Sequence, residues 1–156
     1  MGYTWPANDS DEMLRSVIRL AELGTQLRAI PTRENHDGEI VPKTQEGVDR
    51  YKSTLLTLAR GNAIANGRDY LNEEDIRLIS HVVISTCSDE RSKIMRKLLS
   101  NAESVKVDEF EEILEITTHT TKNKCNELVT LGAIESMGSP MQYILPEKLD
   151  WLKKYF

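Results

Sequence analysis

Within the stretch His119–Asn126, the residues His119, Thr120, Lys122, Asn123 and Asn126 carry groups suited to a nucleic-acid groove. Asparagine bonds adenine through two hydrogen bonds, and lysine meets guanine or a phosphate. Between them, Thr121, Cys125 and Leu128 recur at helical spacing. If these three turn inward on a helix, the other five turn outward together. Lys106 and Lys124 are then further candidates for phosphate contact. A protein-binding or purely structural role is the alternative. The face is only mildly basic, and Glu127 with Glu109, Glu111, Glu112 and Glu115 repels phosphate.

Other chemistries find little support. His36, His81 and His119 show no metal-ligand spacing with Cys87 and Cys125, so no metal site is expected. His81 lies among apolar residues and reads as a satisfied or solvent-edge histidine. No Gly-x-Ser-x-Gly occurs, and neither cysteine sits beside a histidine in a recognisable arrangement. None of the eight glycines is followed by lysine, so the chain holds no phosphate loop. No apolar strand ending in paired acidic residues supplies a magnesium ligand. The chain alone is therefore expected to be no enzyme and to hold no cofactor. The carboxylates, spread over helix faces, read as solvated.

The elements that must position these residues follow from periodicity. Met1–Ser10 reads as a loose lead-in, with Asp9 or Ser10 capping a helix that runs to about Ile30. Its apolar face is Met13, Leu14, Val17, Ile18, Ala21, Leu23, Leu27 and Ile30, with Gly24 as a weak point. Pro31–Val48 is a connector, in which Asp37-Gly38 suggests a small hairpin. Arg50–Val83 reads as a helix pair broken at Asn66-Gly67-Arg68-Asp69, with Gly67 in the left-handed conformation. Asn72 caps the second helix, and Asp75 three residues on completes a shortened capping box. That helix, about Glu73–Thr86, is apolar nearly all round and is expected to be central and buried.

A helix from Ser88-Asp89-Glu90 to Ser100-Asn101 follows. Val105 and Val107 read as a short strand, and Asp108 with Glu111 as the acidic cap of a short helix. A turn at Ile116–His119 leads into a helix ending at Leu131-Gly132. Strands Ala133–Met137 and Met141–Leu145 come next, and Pro146 opens a last helix, Glu147–Tyr155.

Composition places the chain among globular proteins: 156 residues, 39% hydrophobic and 29% charged. No apolar run approaches the roughly 18 residues that span a bilayer. No signal peptide is visible, and Pro6 argues against myristoylation at Gly2. Two distant cysteines read as buried free thiols, which suits a cytoplasmic location. The net charge of −5 lies wholly in residues 1–90; residues 91–156 are balanced. A net negative chain is not drawn to nucleic acid as a whole, so a local face must do any binding.

From Glu90 to Leu145 the order helix, strand, helix, turn, helix, hairpin is that of a winged helix-turn-helix. The phrase Asn126–Glu135 resembles the end of a recognition helix and the entry to the wing. A second resemblance covers about residues 11–86. Arg50, Leu55-Leu56-Thr57-Leu58-Ala59 and Tyr70-Leu71-Asn72-Glu73-Glu74-Asp75-Ile76 match the lid of AAA+ ATPases in the minichromosome-maintenance and MoxR-like branch. The turn Gly67-Arg68-Asp69-Tyr70 is close to that of MoxR-type lids. The resemblance implies that Arg50 is a nucleotide-sensing residue, and only within a complete ATPase, with Arg33 and Lys43 as weaker candidates. ATP and magnesium would then require a motor domain upstream.

The expected fold is mostly α: a lid-like helical bundle over residues 10–88, then a winged helix with a small β-hairpin over residues 89–156. The expected function is the non-catalytic C-terminal region of a replication- or remodelling-type AAA+ ATPase, with a winged helix that binds DNA. The expected partners are DNA and the ATPase core or its other subunits, with homo-oligomerisation possible and no membrane contact. The abrupt start at a helix is compatible with a piece of something longer. A free-standing winged-helix transcriptional regulator and a protein-interaction adaptor remain alternatives.

Overall fold

The computed structural model describes residues 4–6, 8–33, 40–43, 47–101 and 103–156, with the backbone alone for 31–33 and 40–43. Among these it is mostly helical, with seven helices and a small three-stranded antiparallel sheet. Helix α1 (Asp11–Arg28) is capped by Ser10, whose hydroxyl accepts from the Met13 N–H. It stops two residues before Ile30 because Pro31 disfavours helical dihedrals at the residue before it. Ile30 instead opens β1 (Ile30–Arg33), which pairs antiparallel with β2 (Ile40–Lys43). The expected turn at Asp37-Gly38 lies outside the described residues.

Helices α2 (Val48–Ala65) and α3 (Glu73–Ser85) form the expected pair and pack with α1 as a three-helix bundle. Gly67 has φ +72°, and Asn72 and Asp75 form the capping box. Met13, Val17, Leu20, Ala21, Leu23 and Leu27 fill the α1 side of the core. Ile18, placed on that face by the sequence, is 41% exposed. Helix α3 also differs from the expectation of all-round burial. Ile76, Ile79 and Val83 are buried, while Leu78 stands on the opposite side of the turn and is exposed.

Gly24 turns out to be a packing requirement. A Cβ there would lie 2.1 Å from Cε1 of Tyr51, a buried ring whose hydroxyl hydrogen-bonds Thr86 Oγ1 at 3.2 Å. Only glycine lets α1 and the Tyr51 ring approach so closely.

Helix α4 (Asp89–Ser100) packs on α3 and passes the chain to β3 (Val105–Lys106). Val107 belongs to α5 (Val107–Leu114) rather than to a strand. The acidic cap is Glu109, whose carboxylate accepts from the Lys106 N–H at 3.3 Å, not Asp108 with Glu111. Helix α6 (Thr118–Thr130) leads into β4 (Glu135–Met137) and β5 (Gln142–Ile144), both shorter than expected. The sheet order is β3-β5-β4, with Val105 opposite Tyr143 and Ser136 opposite Tyr143 on the other side.

The last element is the expected helix, Glu147–Tyr155, and it is wound as a 3-10 helix. It returns to pack on α3 and α4. Tyr155 donates its hydroxyl proton to Glu73, Lys154 pairs with Glu73 at 2.9 Å, and the Tyr155 carbonyl meets His81 Nε2 at 3.0 Å. His81 is thus a satisfied, half-buried histidine. One continuous apolar core runs from Met13 to Tyr155. Cys125 is buried and Cys87 half-buried, both as free thiols. No helix among the described residues is long and apolar enough to cross a membrane.

Candidate nucleic-acid interface

The turn before α6 places Glu115 at φ 56°, a left-handed conformation uncommon for a residue with a side chain. The Glu115 N–H closes the end of α5 on the Glu111 carbonyl at 2.8 Å. Thr117 then caps α6, its hydroxyl 3.1 Å from that of Thr120. Thr121, Cys125 and Leu128 are buried, as their spacing predicts, and Leu131 closes the same face. His119, Thr120, Lys122, Asn123 and Asn126 are exposed together.

Three of these five are pre-positioned. The Asn123 amide lies 3.3 Å from His119 Nδ1, one turn away on the helix. Asn126 Oδ1 accepts the hydroxyl proton of Tyr143 at 3.1 Å. Tyr143 is fully buried on the central strand β5 and meets the edge of Phe110 at 6.1 Å between centroids. Burial, with the nearby Cys125 thiol, pushes the Tyr143 hydroxyl up to about 12, so it stays a proton donor throughout the physiological range. Burial alone pushes Cys125 up to about 12, which removes it as a nucleophile.

Lys122 and Lys106 stand on one groove, with Thr118 at the start of α6 and Pro140 and Met141 at the hairpin tip. Asp108 and Glu111 line the same groove, so its charge is balanced. Lys124 does not join them. It lies on the opposite side of α6, half-buried, in a separate groove with Arg28, Glu90, Arg91 and Glu127. Glu90 is held below the usual carboxylate range, first by backbone hydrogen bonding and also by the charge of Lys124.

Arg50 sits exposed in the first turn of α2, where its carbonyl accepts from the Thr54 hydroxyl at 3.2 Å. The side chains of Arg33 and Lys43 lie outside what the structure describes. Among the described residues, no group of three His, Cys, Asp or Glu side chains is placed to hold a metal ion.

Three polar centres lie away from α6, and the sequence points to only one of them. Asp75 is completely buried and accepts from Arg68 Nη1 at 2.6 Å and Nη2 at 3.0 Å, from Asn62 at 2.7 Å and from the Asn72 N–H at 2.9 Å. Burial raises its pKa, but Arg68, Asn72 and Asn62 outweigh that and hold the carboxyl below the usual range. Asp9 is tied to Arg60 at 2.7 Å, to the Trp5 indole N–H at 3.0 Å and to the Leu71 N–H at 3.0 Å. Arg91 donates from Nη1 to the carbonyls of Leu27 and Ala29 at 2.7 and 2.8 Å, and its Nη2 pairs with Glu127 at 3.4 Å. The capping box announces Asp75; nothing local in the sequence announces the long-range partners of Asp9 and Arg91.

No protein-family model, curated protein or solved structure matches the chain.

Proposed function

We propose that residues 89–156 act as a winged helix-turn-helix that contacts DNA through α6, and that residues 10–88 are the lid-like part of an AAA+ ATPase of the minichromosome-maintenance and MoxR-like branch. In this reading the chain is non-catalytic, and Arg50 senses nucleotide only beside a motor domain. One observation carries the DNA reading: His119, Thr120, Lys122, Asn123 and Asn126 are exposed together on α6, next to the hairpin tip. A helix with polar and basic side chains of this kind suits the major groove, and Lys106 at the groove's edge suits a phosphate. For the lid reading, the support is the Arg50-to-Ile76 pattern on an α-helix pair with a capped turn. The balanced charge of the groove shared by Lys106, Lys122, Asp108 and Glu111 favours a second reading, a protein-interaction adaptor.

Fluorescence anisotropy with a labelled random-sequence duplex separates the two. Binding should weaken as salt rises, and Lys122→Ala should reduce the salt slope by about 1. Lys124→Ala, on the other side of α6, should leave binding unchanged. No binding of duplex at low salt rules out the DNA role and favours the adaptor. For the lid, a Gly-Lys-Ser/Thr phosphate loop encoded in frame upstream of Met1 is the discriminating observation. In such a protein Arg50→Ala should lower ATP hydrolysis.

A further inference from the structure

A groove on the far side of α5 from Lys122 is walled by α3, α4, α5 and the last residue of the chain. Its floor is apolar: Ile113, Phe156 and the ring of His81, whose centroid lies 4.3 Å from that of Phe156. Its rim is basic: Lys93, Arg96 and Lys97. No Asp or Glu side chain is among the described lining residues. The volume of about 420 Å³ admits a few side chains, not a whole structural element.

The rim cations are held by weak partners. Lys93 pairs with Asp89 at 2.8 Å, but the Asp89 side chain is 77% exposed. Lys97 pairs with the partly exposed Glu109 at 3.2 Å, and Arg96 donates to the Ser85 hydroxyl at 2.8 Å. Ion pairs exposed in this way contribute little and exchange readily for another carboxylate.

We propose that this groove docks a segment of a partner protein that carries acidic side chains around one or two apolar anchors. Carboxylates complement the three rim cations, and the anchors cover Ile113 and Phe156. A phosphate backbone would satisfy the rim and leave the apolar floor wet. Stacking of a base is also disfavoured, because the Phe156 ring is already engaged by His81 and by Arg96, whose guanidinium lies 5.7 Å from the ring centroid.

The test is a titration of the full chain into a fluorescein-labelled synthetic peptide with Glu and Leu at helical spacing. An equally labelled oligothymidine runs beside it. Saturable peptide binding is expected, weakened about tenfold or more by Lys93→Gln with Arg96→Gln, and comparably by Ile113→Ser. Lys122→Ala, on the other groove, should leave it unchanged. Circular dichroism checks each fold; if Ile113→Ser unfolds, Ile113→Ala replaces it. The proposal fails if the peptide does not bind saturably. It also fails if Lys122→Ala weakens binding as much, or if oligothymidine displaces the peptide and binds regardless of the Ile113 substitution.

Discussion

The turn between α2 and α3 and the turn between α5 and α6 both reverse the chain through a left-handed residue, Gly67 in the first and Glu115 in the second. Around the first, polar side chains are spent on the protein itself. Asp75 takes four hydrogen bonds from Arg68, Asn62 and Asn72, and Asp9 fastens the far end of the turn at Leu71. Around the second, His119, Thr120, Lys122, Asn123 and Asn126 are exposed on α6, and the contacts of His119, Thr120, Asn123 and Asn126 are with one another, with the cap Thr117 or with Tyr143. A buried carboxylate with all its acceptor sites filled holds a fold together. An exposed amide with spare donors is available to a partner. Two helix pairs of similar outline therefore place their polar groups differently.

The largest test of this contrast is Asp75→Ala, which leaves Arg68 facing a void. It should cost about 3–5 kcal/mol in urea unfolding, whereas a comparable loss from any single α6 surface residue would erase the distinction. The same carboxylate sets an acid response. Its folded pKa lies below the unfolded one, so its contribution is fully present above the ordinary carboxylate range and is lost as pH falls through the folded value. Glu73, lowered first by Tyr155 and then by Lys154, acts in the same direction. Thermal melts of Asp75→Asn should thus show a shallower loss on acidification than the parent protein.

Next in size is Gly24→Ala. The added methyl meets the Tyr51 ring, and a cost of about 1–3 kcal/mol is expected by chemical denaturation. Recovery on adding Tyr51→Leu would trace the cost to that contact. Smaller and opposite in sign is Glu115→Gly, which relieves a left-handed backbone and should stabilise by up to about 1 kcal/mol. Smallest is His119→Ala with Asn123→Ala. Stability should stay within about 0.5 kcal/mol of the parent, while duplex binding measured by anisotropy falls.

Much of this contrast can be seen in the sequence, and the missing part has a physical cause. Helical spacing separates Thr121, Cys125 and Leu128 from the exposed face of α6, because burial obeys the helix period. Asn72 and Asp75 reveal their capping box because both partners sit within one turn. Glu115 carries no glycine to mark its conformation. Ile18 and Leu78 have the right residue type, but among the described residues they are only partly covered, at 41% and 36% exposed. The separation of Lys122 from Lys124 is simple helix geometry, yet which neighbour each meets depends on α4 and the hairpin. The final 3-10 helix depends on contacts made back to α3, more than sixty residues earlier in the chain.

Arg91 has a mechanical consequence. One guanidinium grips the last carbonyls of α1 and, from its other nitrogen, the α6 carboxylate Glu127. Its planar fork presents the two nitrogens to these partners in a fixed geometry. Arg91 thus links the C-terminal end of α1, just ahead of the β1–β2 ribbon, to α6 through a single side chain.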